Sequence, residues 1–364
     1  NLFNPAYSIQ GITYGMRLEI LLVVVASYIY VLAKRKNIWI SFIAALCVLF
    51  SCIFFISLPA IMRLGAGLFA LKLSPADITE VDIGIIELLV LSVFCLAWYL
   101  CYDRAKFKAV LGNMRLTRSL HYLVLMCLGI CANLSLGFAL PDNFSYFKAI
   151  SAACAVFFAF QFSVVTNDVI DIDCDRVSNK GRPLSSGAIA AAEYLKVGFV
   201  FLIFSLLYAL CVSEAFFRIN LIFISLYFIY SLPPLRLKRS LLAAAIIIAL
   251  EAVVAFVIGY KIYSDIASAA DIPVCFLASI FLIFLFAAPF KDLKDVEGDK
   301  ASGINTIPVV LGEKRGRFLV ALLLGTSYLL AGLLLPICIK GMPDLMPLML
   351  GVIFALLNIF YVVF

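Results

Sequence analysis

AACAVFFAFQFSVVTNDVIDIDCDR, residues 152–176, opens as an apolar run broken only by Gln161, Ser163 and Thr166. It closes on Asn167, Asp168, Asp171, Asp173 and Asp175. The apolar part approaches the ~20 residues a helix needs to cross a bilayer. Carboxylates crowded at such an end need a reason in a chain that is only 14% charged.

Working outward, the same pattern of apolar segments recurs along all 364 residues. The chain is 65% hydrophobic with a mean hydropathy of +1.12, whereas soluble proteins sit near one-half apolar. About eleven windows are long enough to span, at roughly 14–33, 38–62, 83–102, 119–140, 145–166, 190–215, 217–233, 240–260, 272–290, 318–339 and 344–364. No long polar tract separates them, so the expected fold is all-α: a polytopic membrane helical bundle without a separate soluble domain. The first window ends in Lys34, Arg35 and Lys36 and reads as a retained helix rather than a cleaved signal.

Most of the lysines and arginines fall in alternate loops: Lys34 to Lys36, Arg104 to Arg118, Arg176 to Arg182, Arg236 to Arg239, and Lys291 to Arg317. The opposite loops hold only Arg17, Arg63, Lys72, Lys148, Arg218, Lys261 and Lys340. Basic loops stay cytoplasmic, so the first set is expected on that face. The net charge of +6 then reports topology and gives no nucleic-acid signal. Ten of the eleven cysteines lie in or at the ends of apolar spans, and no C-x-x-C occurs. Cys127 and Cys131, one helical turn apart, read as small packing residues. The single histidine, His121, argues against a His-based zinc or haem site.

On a helix, Asp168, Asp171 and Asp175 lie at about 0°, 300° and 340°, sharing one face, with Asp173 near 140° on the other. Residues 291–300, KDLKDVEGDK, repeat this three-then-four spacing in Asp292, Asp295 and Asp299, and Glu297 takes the off-face place. The fifth and ninth spans carry these ends, an even number of crossings apart, so both clusters emerge on one side. Two acidic faces together repel unless cations lie between them. Oxygen ligands without thiolate or imidazole select a hard ion, Mg²⁺, with Mn²⁺ as substitute. Two such ions would be balanced by a bridging phosphate ligand. A diphosphate with a hydrocarbon tail suits the mouth of an apolar bundle. Loss of its metal-bound head leaves an allylic cation for a nucleophile to trap.

N-D-x-x-D-x-x-x-D at 167–175, NKGRPLSSG at 179–187, YSLPPLRLKR at 230–239 and D-x-x-D-x-x-x-D at 292–299 together resemble the UbiA superfamily of intramembrane prenyltransferases. The resemblance covers roughly residues 110–364. It implies a helical bundle around a large, laterally open cavity capped by the two motif loops. It also implies Mg²⁺-dependent transfer of a prenyl group from an isoprenoid diphosphate to a membrane-soluble acceptor. Asn167, Asp168, Asp171 and Asp175 then form the first metal and diphosphate cluster, and Asp292, Asp295 and Asp299 the second. Asp168, Asp171, Asp292 and Asp295 are the catalytic candidates. Residues 111–364 make the prenyltransferase domain, with eight spans from 119 onward against the family's usual nine. Residues 1–110 make an N-terminal three-helix transmembrane extension. It is expected to serve packing or oligomerisation, with partner docking or substrate access as the other reading.

Cations should meet the diphosphate as its charge builds. Lys180, Arg182, Lys291, Lys294 and the 236–239 loop flank the motifs, and Lys238 sits at the family's basic position. Each is alternatively a topology anchor. Arg118 resembles the family's arginine-proline entry, with Ser119 in place of proline. Tyr227 and Tyr230 are candidates for the prenyl pocket, shielding a cation with their ring faces. Gly298 and Gly303 are expected to turn the second motif back over the site.

The resemblance implies acceptors of several kinds: quinone- or tocopherol-type aromatic precursors, favoured by the second motif's form, or glycerol-phosphate lipids and chlorophyllide-type rings. A cyclase that turns the cation on its own tail is a further alternative. The competing class is a transporter with a carboxylate ion site. Such sites lie near the bilayer midplane on broken helices, whereas these acids sit at helix ends.

Overall fold

The computed structural model describes residues 13–68, 79–135, 146–263, 272–301, 303–339 and 345–363, so Lys72 and Lys340 lie outside the described residues. The regular elements are all helical: α1 (Tyr14–Arg35), α2 (Ile38–Leu68), α3 (Glu80–Tyr102), α4 (Arg104–Asn113), α5 (Leu116–Ser135), α6 (Tyr146–Ile170), α7 (Ile172–Ser178) and α8 (Ala191–Val212). They continue with α9 (Glu214–Ser231), α10 (Leu241–Lys261), α11 (Val274–Ala287), α12 (Val296–Ala301), α13 (Ile307–Leu311), α14 (Glu313–Cys338) and α15 (Leu345–Val363). Short 3-10 segments cover Leu237–Arg239 and Ala288–Lys294. Among the described residues, 11 helices are long and apolar enough to cross a membrane. They fall on the windows read from the sequence, and the all-α, polytopic expectation stands.

Two compact units divide the chain at Glu87/Leu88, inside α3. In the first, α1 packs against α2. Thr13 Oγ1 accepts a hydrogen bond from Met16 N at 3.3 Å to cap α1, and Lys36, at φ 52°, closes it through its N–H to Leu32 O. The second unit begins earlier than the domain start at 111 read from the sequence. The reason is packing: Leu88 and Val110 belong to its hydrophobic core, and Ser92 Oγ is 2.8 Å from Tyr208 OH.

α6 lies at the centre of this second unit, packed on α5, α8 and α9. Buried residues make up 61% of its spanning window, against 17% for α15. Ala152, Ala155, Val156 and Ala159 are wholly buried at helical spacing. Lipid supplies no hydrophobic drive between helices, so small side chains that let backbones close in do the packing. Polar side chains add cross-links: Ser205 Oγ donates to Ala155 O at 2.9 Å, Ser151 Oγ to Tyr208 O at 2.8 Å and Asn220 Nδ2 to Ser205 Oγ at 2.9 Å. Each such bond contributes about 0.6 kcal/mol in membrane proteins.

The tightest crossing joins α5 to α10. A Cβ on Gly129 would stand 2.1 Å from Phe256 O, and one on Gly259 1.8 Å from Met126 O. Only glycine permits backbones this close. Gly259→Val should therefore force the helices apart at a cost of about 1–3 kcal/mol or more. The expected result is a melting temperature in detergent lower by roughly 5 °C or more. Gly112→Ala in α4, where an added Cβ meets nothing within 4 Å, should leave it unchanged.

Candidate active site

The first motif begins in the last turn of α6. Asp171 interrupts the helix, with φ −95° and ψ 15°, yet Asp171 N still bonds Asn167 O at 2.9 Å and Asp175 N bonds Asp171 O at 2.8 Å. The helical phase survives the break, so Asp168, Asp171 and Asp175 turn inward together. Asp173 points out, 90% exposed, paired at 3.2 Å with Arg176. Asp168, Asp171 and Asp175 thus share one face and Asp173 takes the other, as the three-then-four spacing predicts.

The second motif reaches the same arrangement by a different backbone. Asp292 lies in the last turn of the 3-10 segment Ala288–Lys294, in which residues three apart eclipse, and Asp295 caps it. α12 then carries Asp299, whose N–H bonds Asp295 O at 2.8 Å. Gly298 is buried inside α12 and turns nothing, contrary to the sequence reading. Gly303, at φ +66°, does change the chain direction, and Ile304 N bonds Asp299 O at 2.9 Å. α7 packs against α12, bringing the two motifs side by side. Asn179 joins them: its Nδ2 donates to Asp175 Oδ1 at 3.1 Å and to Asp295 Oδ1 at 3.2 Å.

Bases surround the acids. Asp168, 1% exposed, accepts from Arg115 Nη2 at 2.6 Å, Arg182 Nη1 at 3.1 Å and Asn113 Nδ2 at 2.7 Å. Arg182 also pairs with Asp175. Asp171 takes Arg236 Nη2 at 2.8 Å and, on its other oxygen, Lys238. Lys238 is buried and also donates to Asn167 Oδ1 at 3.1 Å, an oxygen shared with Ser231 Oγ at 2.9 Å. The loop that aims Lys238 inward ends α9 at Ser231, bends through Pro233 and Pro234, and places Arg236 at φ 40°. Lys291 pairs with Asp292 at 3.3 Å and with the Tyr230 hydroxyl, its ammonium 4.9 Å from that ring's centre. Tyr227 packs against Phe160 and Phe223 and donates to Tyr122 OH at 2.6 Å.

Lys180, Lys294 and Arg118 are exposed and form no ion pair among the described residues. Ser119, where a proline was looked for, accepts from buried Gln161 Nε2 at 2.8 Å. Asn113 and Arg115 were missed by the sequence reading, which placed no functional residue before 118. Arg115 sat in a basic loop read as a topology anchor, and nothing in its spacing tied it to Asp168. Asn179 was inside a quoted motif without a role.

The electrostatics record the crowding. Burial raises the Asp175 carboxyl, with Arg182 opposing. Asp299 is pushed up to about 7 by burial and by the charges of Asp292 and Asp295. Burial lowers Lys238 and Arg115 despite their aspartate partners. Arg182 is pulled down by burial, but Asp168 and Asp175 outweigh this and leave it raised.

Among the described residues, no three carboxylates are already gathered as a metal shell; the bases hold them. The chemistry of the donors nonetheless fits a hard divalent cation. All are oxygens, and after burial the charges of Asp292 and Asp295 further raise Asp299, a crowding of negative charge that a cation would relieve. Asp168, which the resemblance places among the metal ligands, is held here by Arg115, Arg182 and Asn113, as Asp171 and Asp175 are held by their own bases.

A membrane-type bundle whose one end gathers two aspartate triads within a ring of bases is built to hold a multiply charged anion at the head of an apolar interior. The chain belongs to the UbiA prenyltransferase family, whose model matches residues 123–364, in agreement with the motif resemblance. It is 28% identical to digeranylgeranylglyceryl phosphate synthase of Pyrococcus furiosus, over 46% of this chain and 58% of the relative. It is 31% identical to homogentisate solanesyltransferase of Arabidopsis thaliana, over 50% and 49%. The chain thus spans about half to three-fifths of these relatives' lengths. Among solved structures, a UbiA homolog from Archaeoglobus fulgidus bound to GPP and Mg²⁺ has a TM-score of 0.51 and 25% identity, covering 67% of this chain and 86% of that one. The apo UbiA homolog from Aeropyrum pernix K1, at 18% identity, shares the fold with a TM-score of 0.53, covering 67% and 87%.

Asp168→Ala would take the anion from Arg115, only 20% exposed, and leave Arg182, 19% exposed, with Asp175 alone. Breaking a buried pair costs about 3–5 kcal/mol, so this variant should melt markedly lower. Asp173→Ala should melt within about 1 °C of the parent, since exposed pairs contribute little. Thermal unfolding in detergent compares them; equal losses would show that the first motif is not phased as described.

Proposed function

We propose that this chain is an integral-membrane prenyltransferase that moves a polyprenyl group from an isoprenoid diphosphate to an acceptor. The observation that carries it is the joining of two aspartate motifs by Asn179 within a ring of bases, at one end of an aromatic-lined bundle. Asn167, Asp168, Asp171 and Asp175 would hold one divalent ion and Asp292, Asp295 and Asp299 another, as Mg²⁺ with Mn²⁺ substituting. The A. fulgidus homolog bound to GPP and Mg²⁺ supports this choice. When bound, the ions supply neutralisation of the leaving diphosphate.

This chain's own residues do the rest. Lys238, Lys291, Arg182 and Arg236 are placed to exchange an aspartate for a diphosphate oxygen, offering charge that strengthens as the leaving group departs. Lys180, Lys294 and Arg118, exposed around the rim, attract the anion to the site. Tyr227 and Tyr230 present rings to the allylic cation and help exclude water. The basic loops support a cytoplasmic position for this face. The homogentisate relatives favour a quinone- or tocopherol-type aromatic acceptor, and the glyceryl phosphate synthases support a glycerol-phosphate lipid as the second reading.

Residues 111–364 form the catalytic domain in this proposal, and the N-terminal extension serves packing or oligomerisation. A chain starting at Leu88 should keep turnover per folded enzyme. One starting at Lys108 keeps Asn113 and Arg115 but loses the Ser92–Tyr208 bond and the Leu88 packing, and should be less stable. A monodisperse but inactive chain from Leu88 would place part of the substrate path before it.

The decisive experiment incubates purified protein with radiolabelled geranylgeranyl diphosphate and either homogentisate or geranylgeranylglyceryl phosphate. Labelled product is expected with Mg²⁺ or Mn²⁺, none after EDTA, and none when zinc replaces them. Asp171→Ala and Asp292→Ala should lower turnover at least ~100-fold, a loss the size of removing one charge-stabilising group. Full turnover after exhaustive EDTA treatment would overturn the metal assignment.

A further inference from the structure

Below the aspartates, the bundle holds a carboxyl that the diphosphate chemistry does not use. Glu251 lies on α10 and is 2% exposed, about 15 Å along the helix from its start at a rise of about 1.5 Å per residue. Its Oε2 accepts from Tyr122 OH at 3.0 Å, and Tyr122 OH in turn accepts from Tyr227 OH. Its Oε1 is buried without any hydrogen-bond partner. No arginine or lysine pairs with Glu251 among the described ion pairs. A carboxyl in the membrane interior with half its capacity unmet costs stability, and such groups mark functional positions.

Its place relative to the site is defined. Tyr227 and Tyr230 are three residues apart on α9, hence neighbours on one face. Tyr230 bonds Lys291, which pairs with Asp292. The Tyr122–Tyr227–Glu251 group is therefore the next layer in, one helical turn below the base of the second motif. Phe160 and Phe223 pack the two tyrosine rings at 5.2–5.8 Å. Both tyrosines still keep accessible surface.

We infer that Glu251 binds a hydroxyl group of the prenyl acceptor through Oε1, with Tyr122 and Tyr227 fixing the carboxyl's orientation. The inference rests on the prenyl-transfer reading above and names its acceptor class: a phenol or alcohol. A prenyl tail and lipid chains are hydrocarbon and offer Oε1 nothing. A hydroxyl both donates and accepts, so it fits Oε1 in either protonation state of the carboxyl, whereas an ether fits only one. The attacking atom must stand within about 3–3.5 Å of the allylic carbon, and a hydroxyl held in the layer beneath the diphosphate brings it there.

The test uses the full chain in nanodiscs with geranylgeranyl diphosphate, Mg²⁺, geranylgeranylglyceryl phosphate as a further acceptor, and one hydroxyl–ether pair, homogentisate and its methyl ethers, in which the ring carbon that takes the prenyl group stays free. The parent protein should prefer the hydroxyl form by about 100-fold or more in kcat/KM, as sites that hydrogen-bond a substrate hydroxyl do. Glu251→Leu should raise the acceptor KM at least tenfold and shrink that preference to within about threefold, with the Kd for geranylgeranyl diphosphate moving less than twofold. Tyr122→Phe should shift the acceptor KM in the same direction by a smaller factor. If Glu251→Leu fails to fold, the unbranched Glu251→Met, which offers no comparable hydrogen-bond partner, decides by the same preference. Equal transfer to hydroxyl and ether by the parent, or a preference unchanged in the folded variant, would overturn the inference and leave Oε1 to a buried water. Turnover with no acceptor in any form would instead overturn the prenyl-transfer reading itself.

Discussion

Arg182 donates to Asp168 and to Asp175 at once, and the mouth of the bundle depends on that double pairing. A carboxylate taken from water into a low-dielectric interior costs several kcal/mol unless a counter-charge and hydrogen bonds meet it. Asp168 is met by three donors from α4, the α4–α5 turn and the loop after α7. One buried oxygen pair thus ties together segments 55 residues apart in sequence. It also fixes the end of α6, from which the rest of the first motif is phased.

The bases are not spectators waiting for substrate. In this structure they occupy the carboxylate oxygens that ions would take, so acids and bases satisfy each other. Under the prenyl-transfer proposal, binding an anion with its cations would be an exchange of partners, aspartates turning to metal and lysines and arginines to phosphate. Such an exchange would leave the count of buried charge pairs nearly unchanged and avoid the cost of naked charges in either state.

The eleven spans were legible because a bilayer imposes length and apolarity on each helix separately. The clusters were legible because a three-then-four spacing faces one way on either an α-helix or a 3-10 turn followed by an α-helix. What could not be read was contact between segments distant in sequence. Arg115 looks like any juxtamembrane arginine until α5 is placed beside α6. Glu251 stands alone in an apolar run, and its meaning depends on Tyr122 and Tyr227 arriving from two other helices. The start of the second unit at Leu88 was hidden likewise, since only packing shows that the end of α3 and α4 belong with the core. Gly298 misled because a glycine after an acid suggests a turn, while helix packing at α12 kept it straight.

Asn179 gives the two motifs a joint of a particular kind. Charge pairs at a membrane mouth are screened as ionic strength rises, with a Debye length of about 8 Å under physiological conditions. An amide carries no net charge, so its two hydrogen bonds to Asp175 and Asp295 answer far less to salt. The frame that keeps the halves in register is thereby insulated from the ionic surroundings, while the lysines and arginines around it stay tunable by them. The mouth can loosen its grip on an anion without losing its shape.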